Sequence, residues 1–178
     1  MTEERVPPLP PEERDERQAA LVARAGAEYG VFTTLVRNPD VFGDFLPFGG
    51  RLLRLSSLDP RERELLIMRT AFRCRARYEW AHHEHIGRRA GLTDDDLAAL
   101  SSAEVDVRDP RRALLLRAAD DLVADRMLSD PTWADLAAAY PVPQLIEICL
   151  LVGEYAMLAG ALNSLGVQIE EGFTAPSW

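Results

Sequence analysis

The sequence predicts an all-α protein. Three observations carry that expectation. Apolar residues recur at helical spacing in one segment after another. Asp-Pro, Asn-Pro and Gly steps punctuate those segments where helices start and stop. No stretch of useful length alternates apolar and polar with the period of a strand. With 178 residues, 47% of them hydrophobic and 28% charged, the chain amounts to one domain with material for a core.

The elements follow in order. Residues 1–11 hold four prolines and little to bury, and read as a mobile arm or a strap laid on a neighbouring subunit. A single helical domain is expected over residues 12–178. Its first helix begins at Glu12 and turns Leu21, Val22, Ala25 and Tyr29 inward until Gly30 interrupts it. Val31 to Val36 forms a short apolar helix or its continuation. Asn38-Pro39 starts the next helix, with Val41, Phe42, Phe45, Leu46 and Phe48, broken around Pro47 and Gly49-Gly50. Asp59 suits an N-cap, Pro60 the first helical position and Glu62 the third, a capping box. Leu65, Leu66, Met68, Ala71 and Phe72 then repeat at helical spacing. After a break near Arg75–Arg77, a second helix runs from Tyr78 to a Gly91 stop. Thr93 caps a short helix from Asp94 to Leu100, and residues 101–108 form a loop. Asp109-Pro110 and Asp130-Pro131 open two more helices, the latter ending at Tyr140-Pro141. Pro143 opens the last long helix, apolar on nearly every side, as in a subunit interior or interface.

Totals exclude several roles. A net charge of −9 argues against nucleic acid and anionic membranes as partners. The two cysteines, Cys74 and Cys149, belong to no CxxC or metal pattern and read as small buried thiols. No apolar run follows the N-terminus, so no secretory signal is visible. The longest apolar stretch, Ile148 to Leu162, is interrupted by Glu154 and falls short of the roughly 20 residues of a membrane helix. A cytoplasmic protein is expected.

All three histidines fall between positions 82 and 85, in Tyr78-Glu79-Trp80-Ala81-His82-His83-Glu84-His85. Glu79 and His83 are four apart and share a helix face. His83 lies on the inward stripe Trp80, His83, Gly87, Ala90, while His82 and His85 read as surface or interface residues. His83-Glu84-His85-Ile86-Gly87 is a near miss for HExxH, because a zinc site needs three converging ligands and position 87 is Gly; no metal is expected.

At this point the sequence resembles a family. Residues 61–71 (Arg-Glu-Arg-Glu-Leu-Leu-Ile-Met-Arg-Thr-Ala), 78–83 (Tyr-Glu-Trp-Ala-His-His) and 88–93 (Arg-Arg-Ala-Gly-Leu-Thr) are similar to the carboxymuconolactone decarboxylase family, which includes the AhpD-like alkylhydroperoxidases. The likeness is strong over residues 59–100. It implies an AhpD-like helical domain with a central antiparallel helix pair, assembled as a homotrimer or homohexamer. The peroxidase branch carries Glu, then CxxC, then His. Aligning that His on His83 puts the Glu on Glu64 and the two cysteines on Ala76 and Glu79, so both thiols are absent. A Glu in place of the second Cys resembles the decarboxylase-like branch.

Glu64, Glu79 and His83 are therefore the candidate catalytic residues. Two carboxylates and an imidazole suit proton transfer: His titrates near working pH, and neighbouring carboxylates separate a donor from an acceptor. Arg69 and Arg73, with Arg75 or Arg77 beside them, are candidates for a substrate carboxylate. Tyr78 and Trp80, as core or pocket wall, complete the substrate-binding set. The expected activity is cofactor-free acid–base chemistry on a small carboxylated, lactone-like or enolisable metabolite. A peroxidase-like protein using Cys74 alone, and a non-catalytic oligomeric module, are the competing readings. Glu147 and Glu154, seven apart on the last helix, could reach a subunit interface or the pocket rim, with snorkelling to solvent the simpler reading.

Overall fold

A computed structural model describes residues 3–104 and 108–178; Met1, Thr2 and part of the 101–108 loop lie outside the described residues. Among the described residues, nine α-helices follow a short 3₁₀ turn at Pro11–Glu13 and no strand occurs. They are α1 Glu16–Ala25, α2 Gly30–Leu35, α3 Pro39–Arg54, α4 Pro60–Arg73, α5 Arg77–Arg89, α6 Asp94–Leu100, α7 Pro110–Asp125, α8 Asp130–Ala139 and α9 Val142–Leu165.

The organising element is α4, which packs against α5, α6, α7 and α9. Every residue from Glu64 to Ala71 is buried, so this helix has no solvent face along its middle. Leu65, Leu66, Ile67 and Met68 fill the core with Leu115 and Leu116 of α7 and Ile148 and Leu151 of α9. Two charged residues share that interior, Glu64 and Arg69, each 0% exposed. Each needs partners, because an unpaired buried charge is costly. Asp59 caps the helix through the backbone N–H groups of Arg61 and Glu62, an interaction of about 1 kcal/mol. The capping box does not close: the Glu62 carboxylate accepts instead from Arg111 at 2.6 Å. The turn into α5 places Arg75 at φ 52, a left-handed conformation in a tight reversal.

A smaller layer, α1 to α3, has its own apolar cluster of Leu9, Val22, Ala25, Val36 and Phe42. α1 ends four residues earlier than expected, because Gly26 adopts φ 87 and caps it. α3 is continuous through Pro47 and Gly49-Gly50, where a break is predicted. Burial of Phe42 and Leu52 on one face holds it across the proline. Gly49 lets α3 pass close to α9: a Cβ there would stand 2.8 Å from Glu154 Oε1, and the carboxylate would have to shift.

The first described residues and the C-terminal segment both pack on the helices. Leu9, in the segment read as a mobile arm, is 5% exposed, and the Arg5 and Val6 N–H groups both donate to the Leu165 carbonyl at 3.0 Å. After α9, Gly30 N–H, Tyr78 O–H and His82 Nε2 converge on Glu170, and Trp178 sits edge-on to Phe72 and Trp80.

α9 spans 24 residues, longer than its apolar run suggests, and is by length and composition able to cross a membrane. It packs along α4, α7, α8 and α3, and Leu145, Ile148, Leu151, Val152 and Leu162 are buried there. These are the contacts of a core helix.

Candidate active site

Between the α1–α3 layer and the α5/α9 face lies a cavity of about 730 Å³. Phe32, Phe45, Leu46 and Leu53 form one wall. Glu79, His83 and Ile86 of α5, and Glu154, Tyr155 and Leu158 of α9, form the other. Phe173 from the C-terminal segment also lines it, stacked on His82 at 4.1 Å between ring centroids.

His83 is placed by α5 and oriented by α4. Its Nδ1 lies 2.8 Å from Glu64 Oε2, and Tyr155 packs edge-on against the ring at 5.0 Å. The other Glu64 oxygen accepts from Arg63 Nε at 3.0 Å. Burial alone would push the Glu64 carboxyl up, but His83 and Arg63 outweigh it and hold the group below the usual carboxylate range. An ionised carboxylate can only accept, so Nδ1 carries the hydrogen. Nε2 of the same ring is then the nitrogen left for chemistry at the cavity.

Glu79, 3% exposed, has no hydrogen-bond partner for either oxygen. Burial, and then the neighbouring Glu154, push its carboxyl well above the ordinary value. Glu154, 5% exposed, is pushed up to about 7 by burial, and its Oε2 is likewise unpartnered. The site therefore holds an ionised acid fixed to an imidazole and two acids driven toward the neutral form, an arrangement that separates acceptor from donor.

A stability consequence follows. Below the ordinary carboxyl range Glu154 is protonated both folded and unfolded. As pH rises toward 7 the unfolded chain ionises first, and stability is lost across that window. The loss is on the order of 3 kcal/mol. Glu154→Gln is expected to melt on the order of 5–10 °C above the parent at pH 8 and near it at pH 4. Thermal denaturation at both pH values measures this; equal melting temperatures at pH 8 would show an ordinary carboxylate.

The sequence-predicted residues divide. Glu79 and His83 meet at the cavity, with Glu64 directly behind His83. Tyr78 lines the cavity too, but its hydroxyl is committed to Glu170 at 2.7 Å. Trp80 is 2% exposed and packs on Trp178, so it belongs to the core. Arg69 and Arg73 do not reach the cavity: both are bound to Asp120. The arginines on its wall are Arg54, Arg88 and Arg89, all exposed. His82, expected at the surface, is drawn into the Glu170 cluster at 2.7 Å. Glu154, expected to reach solvent, points inward. Glu147 does stay outside, accepting from Ser57. Cys74 is half-buried at the end of α4, and its thiol is pushed up by burial and by Glu79.

The molecule has an all-helical, AhpD-like fold with an acid–imidazole pair beside a cavity. Residues 39–121, from the start of α3 into α7, match the model of the Carboxymuconolactone decarboxylase family. The fold is similar over 92% of this chain and 87% of the other to a crystal structure of an alkylhydroperoxidase AhpD core, a peroxidase-related protein from Ralstonia eutropha JMP134, with a TM-score of 0.71 and 20% identity. No curated protein matches the chain.

Proposed function

We propose that this chain is a decarboxylase-like enzyme that moves protons on a small carboxylated, lactone-like or enolisable metabolite. The observation that carries the reading is the buried Glu64–His83 hydrogen bond of 2.8 Å, with His83 on the wall of a cavity of about 730 Å³. Glu64 fixes the ring, and Nε2 removes a proton from carbon or returns one after CO2 leaves. Electron density left on the substrate needs a donor nearby, and a neutral Glu79 or Glu154 supplies one. Arg54 and Arg89, bonded to the Ala25 and His85 carbonyls, take the carboxylate-holding role first assigned to Arg69 and Arg73.

The test is deuterium uptake from D2O into a panel of small β-keto acids, lactone acids and enolisable ketones, followed by NMR with the parent and His83→Gln. Exchange by the parent that the variant lacks supports the reading. Exchange by neither, or equally by both, overturns it. The single-cysteine peroxidase reading has less support, because a raised thiol is mostly protonated.

The assembly belongs to the same proposal. Val142, Ile146, Leu150 and Met157 run along the outer face of α9 at 66%, 56%, 48% and 59% exposure. An apolar stripe of this length suits packing between copies of the chain. Sedimentation at micromolar concentration is expected to give a trimer or hexamer; a monomer would refute the assembly. The work site is taken to be the cytoplasm, with no nucleic acid or membrane partner.

A further inference from the structure

At the cavity wall, His83 is satisfied by Glu64 behind it. Glu79 and Glu154 are not satisfied: three of their four oxygens are buried without a hydrogen-bond partner. Buried polar groups are nearly always paired, and these three share one cavity wall. The α3 backbone passes close to Glu154: a Cβ at position 49 would stand 2.8 Å from its Oε1. The surrounding wall is hydrocarbon and aromatic, from Phe32, Phe45, Leu46, Leu53 and Leu158.

The geometry points to Glu79 and Glu154 as a pair of hydrogen-bond donors that bind a neutral carbonyl oxygen on the apolar, ring-sized part of a ligand. This rests on the reading of the cavity as a substrate site and names what its inner wall recognises. A carbonyl oxygen offers two lone pairs and each protonated carboxyl offers one O–H, so the two sides match. Burial keeps both acids toward the neutral form that can donate.

The groups that could upset this balance lie on several elements. Tyr78, Glu79, His82, His83 and His85 face the cavity from α5, Tyr155 from α9 and Tyr29 from the start of α2, with Glu64 and Arg63 of α4 behind His83 and Cys74 near Glu79. Arg54, Arg88 and Arg89 supply positive charge on the exposed part of the wall. An ammonium ligand would have to pass those arginines and leave an acid ionised in apolar surroundings. A carbonyl asks for neither, and an anionic group elsewhere on the same ligand finds the arginines.

Acetophenone and benzylamine test this as probes of one ring size, one carrying a neutral carbonyl and the other an ammonium. Binding is read by saturation-transfer NMR titration at pH 5.5 and pH 8.5 with the parent and Glu154→Gln. Acetophenone is expected to bind the parent at pH 5.5 and about tenfold more weakly at pH 8.5, the loss of one good hydrogen bond. Glu154→Gln, whose amide donates at any pH, is expected to hold acetophenone equally at both. Benzylamine binding that strengthens at pH 8.5 and vanishes in Glu154→Gln would overturn the proposal. So would acetophenone binding that ignores pH in the parent, or that is absent from both proteins. The deuterium-exchange result is separate: His83-dependent exchange without carbonyl binding sinks this inference alone, and carbonyl binding without exchange sinks only the enzymatic reading.

Discussion

Proton exchange by His83→Gln is expected to fall by about 10²–10⁴ relative to the parent, the usual worth of a positioned general acid–base group. Glutamine is the informative replacement. Its amide still donates to Glu64 across the 2.8 Å contact, so the buried carboxylate keeps a partner and the melting temperature stays within a few degrees. What disappears is the titratable nitrogen at the cavity. Glu64→Gln is the companion change: it leaves His83 in place but removes the charge that holds the ring with its hydrogen on Nδ1. Its rate is expected to fall with the fold intact. Unfolding of both variants, with no soluble protein to assay, would mean that the pair serves the interior and not chemistry.

Arg69→Ala is expected to destabilise the fold by about 3–5 kcal/mol, the range for breaking a buried ion pair. Its guanidinium is wholly buried. Nε and Nη2 grip the two Asp120 oxygens at 2.7 and 2.8 Å, and Nη1 donates to the Leu100 and Ser102 carbonyls at 2.9 and 2.6 Å. One side chain thus ties α4 to α7 and to the loop after α6. Alanine would leave two carbonyls without that donor and open a void where the side chain lay. Asp120 would keep Arg73, so the loss stops short of a fully stranded charge. Arg69→Lys should recover only part of the stability, because a single ammonium cannot reproduce the fork. Chemical denaturation of the three proteins decides it, and a loss under 1 kcal/mol for Arg69→Ala would show that the pairing contributes little.

Arg69 also shows where reading the sequence runs out. A cluster of arginines next to candidate acids suggests an anion-binding set. Which of them faces a cavity depends on a carboxylate 51 residues away, and nothing local marks Asp120 as that partner. Glu154 takes the pocket position over the simpler solvent-facing one for a related reason. On an apolar helix a lone Glu usually reaches water, yet here α3 and α5 close over it. Glu79 shares the cavity wall with His83, as i,i+4 spacing on α5 predicts, while Glu64, on α4, is reached from the sequence only through the family resemblance.

Helix starts were legible because Asp59, Thr93 and Asp109 cap locally, through backbone groups two or three residues away. Breaks were less so: Pro47 and Gly49-Gly50 carry a strong local signal, but burial along α3 overrides it.

By itself the sequence determined the all-helical class, the central pair of helices and the place of His83 on an inward face, since period and capping act within one or two turns. Only the tertiary structure decided that Glu154 joins the site, that Arg69 and Arg73 serve the core, and that the chain's last residues reach back to Tyr78 and His82. Those outcomes depend on which side chains meet across long loops, where desolvation and pairing, not local preference, set the energy.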